Sequence, residues 1–184
     1  MIPDRVHITG ASGSGTTTLA RRLATEHGHR PVDTDDFYWL VTDPPYTTKR
    51  PPDERLSLLR AELASASRWV LAGSLCGWGD PLIPDFQLVV FILVPQGVRS
   101  SRLRAREVER YGTEAVAPGG LRYEAAEAFL AWAALYDEGG LDVRSRALHE
   151  DWLKQMECPV LRLDGNAPVA ELVMKLEQAC AKAV

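Results

Sequence analysis

The sequence predicts an α/β domain built on a parallel sheet with helices on both faces. Three observations lead there. Short apolar or β-branched runs alternate with longer segments of helical periodicity, the pattern of βα units joined by right-handed crossovers. One of those runs, Leu88 to Val94, is apolar throughout, as a strand covered on both faces must be. The first run, Val6 to Thr9, leads straight into a glycine-rich turn and then a helix, so a phosphate-binding loop follows the first strand. With 184 residues and 46% hydrophobic content, residues 1–184 suit one domain with a sizeable core.

The elements follow in order. After the turn, Leu19 and Leu23 with Ala20 and Ala24 mark one face of a helix that Gly28 ends near His27. Arg30 to Asp33 reads as a second strand, with Pro31 at its entrance where no ladder donor is lost. Asp33 to Trp39 is an acidic and aromatic cluster, and the proline-rich stretch from Thr42 to Pro52 is a loop. Pro52, Asp53 and Glu54 open a helix with Leu56, Leu59 and Leu63 inward. Trp69 to Gly73 is a third strand and Leu88 to Val94 a fourth. A basic helix, Val98 to Tyr111, precedes a break at Gly112 to Gly120. Helices over Tyr123 to Tyr136 and Ser145 to Met156 come next, joined through Gly139 and Gly140. Pro159 to Leu163 is a fifth strand, and a turn around Gly165 leads into a last helix with Leu172, Val173 and Leu176 inward. The segments after the strands should meet at one sheet edge, where open α/β sheets bind ligands.

The turn fits G-x-x-x-x-G-K-[ST] at every fixed position but one. Gly10 and Gly15 are correctly spaced and Thr17 stands at the magnesium-binding hydroxyl, but Thr16 replaces the lysine. Glycines let a polyphosphate approach a ring of backbone N–H groups, here those of Ser12, Gly13, Ser14, Gly15, Thr16, Thr17 and Thr18, and the helix N-terminus adds partial positive charge. Dinucleotide fingerprints fit poorly, since Thr18 breaks G-x-G-x-x-G and no Y-x-x-x-K follows. The lysine normally stabilises charge on the moving phosphoryl group. Its loss leaves two readings: a nucleotide binder that catalyses poorly, or an enzyme in which another cation acts. The Gly-x-Gly-Thr-Thr-Thr loop resembles that of some bacterial phosphoribulokinases, which are working kinases, and this favours the second.

Asp33 and Asp35 put two carboxylates at the end of the second strand, near the loop. Phosphoryl transfer uses one carboxylate for Mg²⁺ and benefits from one that orients or deprotonates the acceptor hydroxyl. Asp33 with Thr17 is assigned to the metal, and Asp35 or Asp36 to the acceptor. No acid ends the third strand, which runs into Gly73 and Ser74. Arg102, Arg106 and Arg110 share a helix face in an arginine-rich segment that also holds Arg99 and Arg104. This reads as a lid, about residues 99–146, whose arginines close over the triphosphate. Arg144 and Arg146 are second candidates, and one of these arginines is the expected substitute for the lysine.

The net charge of −4 and pI near 5.6 give no general attraction to nucleic acid or anionic membranes. The longest apolar run is too short to span a bilayer. Cys76, Cys158 and Cys180 show no metal or disulfide spacing and fit reduced thiols in a cytoplasmic protein. The expected partners are therefore ATP, Mg²⁺ and a small-molecule acceptor, with the protein a monomer or homodimer.

Taken together, the phosphate loop, D-x-D, arginine-rich lid and Leu163-Asp164-Gly165 turn resemble the adenylate kinase and shikimate kinase group of P-loop kinases. The arrangement of Asp35, Tyr38 and Trp39 also resembles that of bacterial proteins described as DNA-topology modulators, although the acidic pI weakens any reading as a DNA binder. The resemblance implies a three-layer α/β/α P-loop NTPase fold with strand order 2-3-1-4-5 and a helical lid. It also implies transfer of the ATP γ-phosphate to a nucleoside monophosphate or a small-metabolite hydroxyl. Asp33 and Asp35 match the shikimate kinase pair for metal and acceptor, and Gly165 with Asn166 marks the adenine site. The Gly-Gly-Gly acceptor loop of shikimate kinase is absent at Gly73-Ser74-Leu75.

Overall fold

The computed structural model describes residues 1–182. Five parallel strands form one sheet: β1 (Arg5–Gly10), β2 (Arg30–Asp33), β3 (Trp69–Ala72), β4 (Leu88–Leu93) and β5 (Val160–Asp164). Their spatial order is β2-β3-β1-β4-β5, as the resemblance implied. Registers such as Ile8 opposite both Ala72 and Val90, and Asp33 opposite Ala72, bring the strand C-termini to a common edge.

Alternation along each strand divides the core. Val6, Ile8, Val70, Val90 and Ile92 face α1 (Thr16–His27) and α8 (Val169–Lys182) through Leu19, Leu23, Leu172 and Leu176. Val32, Leu71, Val89 and Phe91 face the opposite layer, where α3 (Pro52–Ala64) brings Leu59 and Leu63 and α7 (Arg146–Leu153) brings Trp152 and Leu153. Each such large apolar side chain contributes about 1.5–3 kcal/mol by leaving water. Gly28 ends α1 in the left-handed conformation at φ 70°, its N–H donating to the Ala24 carbonyl.

Several boundaries differ from the sequence reading for local reasons. Asp35–Tyr38 forms a one-turn helix, α2, and Asp80–Asp85 a 3₁₀ turn. The expected loop after α2 is pinned at its base, where Trp39 pairs with Lys49 and Leu40 N–H donates to the Thr48 carbonyl. The basic helix, α4, starts earlier, at Gln96, because Pro95 sits at its N-cap and its first turn needs no donor from that residue. It runs to Tyr111. The glycine-rich break holds one short turn, α5 (Thr113–Val116). The next helix, α6 (Tyr123–Ala134), stops short of Tyr136, whose carbonyl accepts from Arg146 N–H at the start of α7. Ser145 caps α7 by accepting from Leu148 N–H at 2.9 Å.

One buried charge revises the lid reading. Arg99 belongs to the core and not to a lid face: it is 1% exposed and paired with Asp137. It also donates to the carbonyls of Val94 and Ala133, joining α4 to α6. Arg104 pairs with Glu127 at the surface. Among the described residues, no helix is long and apolar enough to cross a membrane.

Burial holds His7 at about 4 and His149 at about 3, against an ordinary 6.5, and lowers His29 as well. Unfolding restores the ordinary value, so below about pH 6.5 the unfolded chain takes up protons that the native state refuses, and stability falls. Asp35 and Asp36 are raised by burial and act in the opposite sense, but lower, in the carboxylate range. The melting temperature is therefore expected to drop by roughly 5 °C or more between about pH 7 and 5.5. A melting temperature that stays flat across that window contradicts the burial of neutral histidines.

Candidate phosphate and acceptor site

The loop between β1 and α1 is shaped for an anion. Gly13 and Gly15 have φ of 80° and 93°, a region that favours glycine. A Cβ on Gly10 would lie 2.7 Å from the Ile92 carbonyl oxygen and from Ser14 Oγ. The first amide of α1 with a backbone acceptor is Leu19, on the Gly15 carbonyl at 3.0 Å. Among the described residues, the N–H groups of Gly13, Gly15, Thr16, Thr17 and Thr18 have no acceptor within the protein, and no side chain caps the helix. Ser14 Oγ is buried without a partner. Unpaired donors at a helix N-terminus, bare glycine backbone and an orphaned hydroxyl fit a polyphosphate.

Beside the loop stands a set of hard oxygen donors. Thr17 Oγ1 donates to Asp33 Oδ2 at 2.8 Å, and Asp35 N–H donates to Asp33 Oδ1 at 3.0 Å. One carboxylate thus joins the start of α1 to the end of β2. A hydroxyl and a carboxylate in contact suit Mg²⁺, which keeps much of its own water and needs few protein ligands. Thr34, between the two acids, is anchored by its N–H on the Ala72 carbonyl at 2.8 Å.

Asp35 is exposed to solvent, with protein atoms crowded around its carboxyl. Its carboxyl is held above the usual carboxylate range, first by desolvation and then by the Asp33 charge, while Arg144 and Arg106 pull it back down. Two arginines distant in sequence therefore face one acid. Arg144 Nη2 donates to the Gly10 carbonyl at 3.2 Å, and its Nε is buried without a partner. Both guanidinium groups also rest on α6. Arg144 lies 5.9 Å from the Trp132 ring centroid and Arg106 lies 5.7 Å from that of Phe129. The two rings stack at 5.9 Å. These separations are within cation–π range.

The remaining arginines go elsewhere. Arg102 donates to the carbonyls of Gly13 at 3.4 Å and Gly165 at 3.0 Å, tying the phosphate loop to the turn after β5. Arg110 lies over Tyr46, 4.9 Å from the ring. The acidic and aromatic cluster is clamped from outside by Arg55, whose guanidinium sits 3.9 Å from the Tyr38 centroid, with Trp39 and Trp78 edge-on. Tyr38 is thus a packing residue of this wall, and Arg55 is a buried cation that helical periodicity did not reveal. The sequence reading also missed a buried polar group behind the loop, where His149 meets Ser74, Thr9 and Tyr136. Nothing in the pattern of an ordinary amphipathic helix marks His149 as a member of the site.

Sheet order and glycine loop define a P-loop domain with a three-layer α/β/α fold. The family described as AAA domain matches residues 6–129, and the chain belongs to it. A relative from Bacillus subtilis strain 168, the uncharacterized protein YqaC, is 48% identical over 168 residues, spanning 91% of this chain and 92% of the relative. Solved structures share the fold at low identity. Shikimate kinase from Bacteroides thetaiotaomicron superposes with a TM-score of 0.58 at 16% identity, over 96% of this chain and 98% of that one. Shikimate kinase from Acinetobacter baumannii in complex with shikimate gives 0.56 at 16% identity, over 98% and 94%. A gluconokinase from Sinorhizobium meliloti gives 0.55 at 18% identity, over 99% and 94%.

The charge balance around Asp35 can be measured without any ligand. Arg144→Met removes a cation that lowers the Asp35 carboxyl, so carboxyl NMR titration is expected to show Asp35 moving further up. Arg104→Met, which removes an ion pair with Glu127 at the surface, should leave it in place. An Asp35 titration unchanged by Arg144→Met contradicts the arrangement.

Proposed function

We propose that the protein is an ATP- and Mg²⁺-dependent phosphotransferase. It moves the γ-phosphoryl group to a hydroxyl of a small metabolite or to a nucleoside monophosphate. The observation that carries this reading is the contact of Thr17 Oγ1 and Asp33 Oδ2, with Asp35 bonded to the same carboxylate, beside a run of unpaired loop amides. A simple phosphate-binding turn needs the amides but has no need of the two carboxylates beside them.

The residues divide the work as follows. The amides of Gly13 and of Gly15 to Thr18 hold the β- and γ-phosphates, and Thr17 with Asp33 would hold Mg²⁺. The metal, when bound, neutralises charge on the phosphate oxygens. Asp35 orients the acceptor hydroxyl and takes its proton, and its raised carboxyl makes it a stronger base than an ordinary aspartate. Arg144 and Arg106 oppose the charge that builds on the transferring group, the task normally given to the lysine that Thr16 replaces. Arg102, on the Gly165 carbonyl, closes the side of the site where the nucleoside would lie. The helical segment that follows the buried Arg99, to about residue 146, serves as the lid of a single domain, 1–184. Three free thiols suit a cytoplasmic setting.

Thr16 favours a second reading, a regulatory nucleotide binder with little turnover. Mg·ATP turnover over a panel of nucleoside monophosphates, sugars and small hydroxy acids separates the two. Turnover with at least one acceptor supports the kinase; tight ATP binding with no turnover on any supports the binder. In the kinase, Asp35→Asn is expected to lower turnover about 100-fold or more while ATP affinity changes little. Equal losses in both would remove Asp35 from its assigned role.

A further inference from the structure

A buried chain of polar groups ends at the edge of β3 where the domain lacks an acid. His149 on α7 is fully buried, with Phe91 packed against it at 5.8 Å between ring centroids. Its Nδ1 is 2.7 Å from Tyr136 Oη, and its Nε2 is 2.9 Å from Ser74 Oγ and 3.5 Å from Thr9 Oγ1. Ser74 follows the last residues of β3, between Asp33 on β2 and Gly10 on β1. Its carbonyl accepts from Trp78 Nε1 at 3.2 Å, which fixes the loop backbone. Arg144, on the Gly10 carbonyl, is a charge common to His149, Tyr136 and Cys76; Arg99 and Asp137 also act on Tyr136, and Asp80 on Cys76.

The protons in this chain can be assigned. Burial raises the Tyr136 phenol, which stays protonated, and lowers His149, which stays neutral. Among the described residues, His149 Nδ1 is the one hydrogen-bond partner of Tyr136 Oη. A buried phenol needs an acceptor for its proton, so Tyr136 donates to Nδ1. A neutral imidazole that accepts at Nδ1 carries its proton on Nε2, which then donates to Ser74 Oγ, with Thr9 as a longer second acceptor. Ser74, having accepted, has its own O–H left to donate, and the Cys76 thiol is a side-chain partner within its reach. Its neighbour Cys76 is held as a thiol, with burial pushing it to about 11, and a thiol sulfur is a weak acceptor.

We propose that Ser74 is a site residue whose hydroxyl donates to a phosphoryl oxygen or the acceptor, and that Tyr136 and His149 are positioning residues that fix it as a donor. At the end of β3, where no acid stands, this hydroxyl meets anions as a donor, which a carboxylate in the same place could not do. The contact with substrate rests on the phosphotransferase reading; the proton assignment does not.

Two measurements test it. In ¹⁵N-labelled protein, long-range ¹H–¹⁵N correlation at neutral pH is expected to show His149 as the Nε2–H tautomer, assigned by loss of its signals in His149→Gln. Tyr136→Phe removes the donor to Nδ1 and is expected to shift that nitrogen. An Nδ1–H tautomer overturns the relay. For Ser74, the expectation is that Ser74→Ala lowers kcat by about 100-fold with ATP affinity nearly unchanged, and that Ser74→Thr, which keeps a hydroxyl, restores most of it. Equal effects of Ala and Thr overturn the role in transfer. A wild-type protein with no turnover on any acceptor overturns the phosphotransferase reading and the substrate contact with it, while the relay still stands or falls on the tautomer.

Discussion

Unpaired amides at the start of α1 set the terms for the rest of the site. Gly13, Gly15, Thr16, Thr17 and Thr18 hold their N–H groups without an acceptor among the described residues, at a helix N-terminus with no side-chain cap. Such an arrangement costs free energy until an anion or water occupies it. The strand order puts it at the middle of the sheet edge, with β3 and β2 on one side and β4 and β5 on the other. Everything that could act on a bound phosphate is therefore supplied from the two flanks. Asp33 and Asp35 come from the β2 side, and Arg102 and Gly165 from the β5 side.

A lysine within the loop would be positioned by the loop itself. A cation brought from outside must be held by other contacts, and the structure shows what those are for two arginines. Arg144 is bonded to the Gly10 carbonyl and rests on Trp132, and Arg106 rests on the stacked Phe129. Among the described residues neither pairs with a surface carboxylate, as Arg104 does, and both act on Asp35. Charge that is held near the loop but not neutralised by a partner remains available to an incoming anion. The buried Tyr136–His149–Ser74 chain belongs to the same economy of fixed groups, since Arg144 stands beside it.

Much of this was legible in the sequence because it depends on local pattern. Strand and helix periods gave all five strands, and the spacing of Gly10, Gly15 and Thr17 located the loop. Asp33 could be paired with Thr17 because both follow strands that end at one edge. What the sequence hid depends on contacts between distant segments. Arg99 reads like its neighbours on a basic helix, yet Asp137 lies 38 positions away and draws it into the core. Arg144 had no more claim than Arg146 until the fold brought it to Gly10, 134 positions earlier. His149 lies 75 positions from Ser74 and 140 from Thr9, so no local signal joins them.

The central claim is that Arg144, brought in from outside the loop, does the work of the lysine that Thr16 replaces. A crystal structure with Mg²⁺ and a non-hydrolysable ATP analogue tests it most directly. The Arg144 guanidinium is expected within hydrogen-bond distance of a γ-phosphate oxygen, with the β-phosphate cradled by the amides of Gly13 and of Gly15 to Thr17. An analogue seated in the loop with Arg144 still on the Gly10 carbonyl, and no arginine on the γ-phosphate, would contradict it.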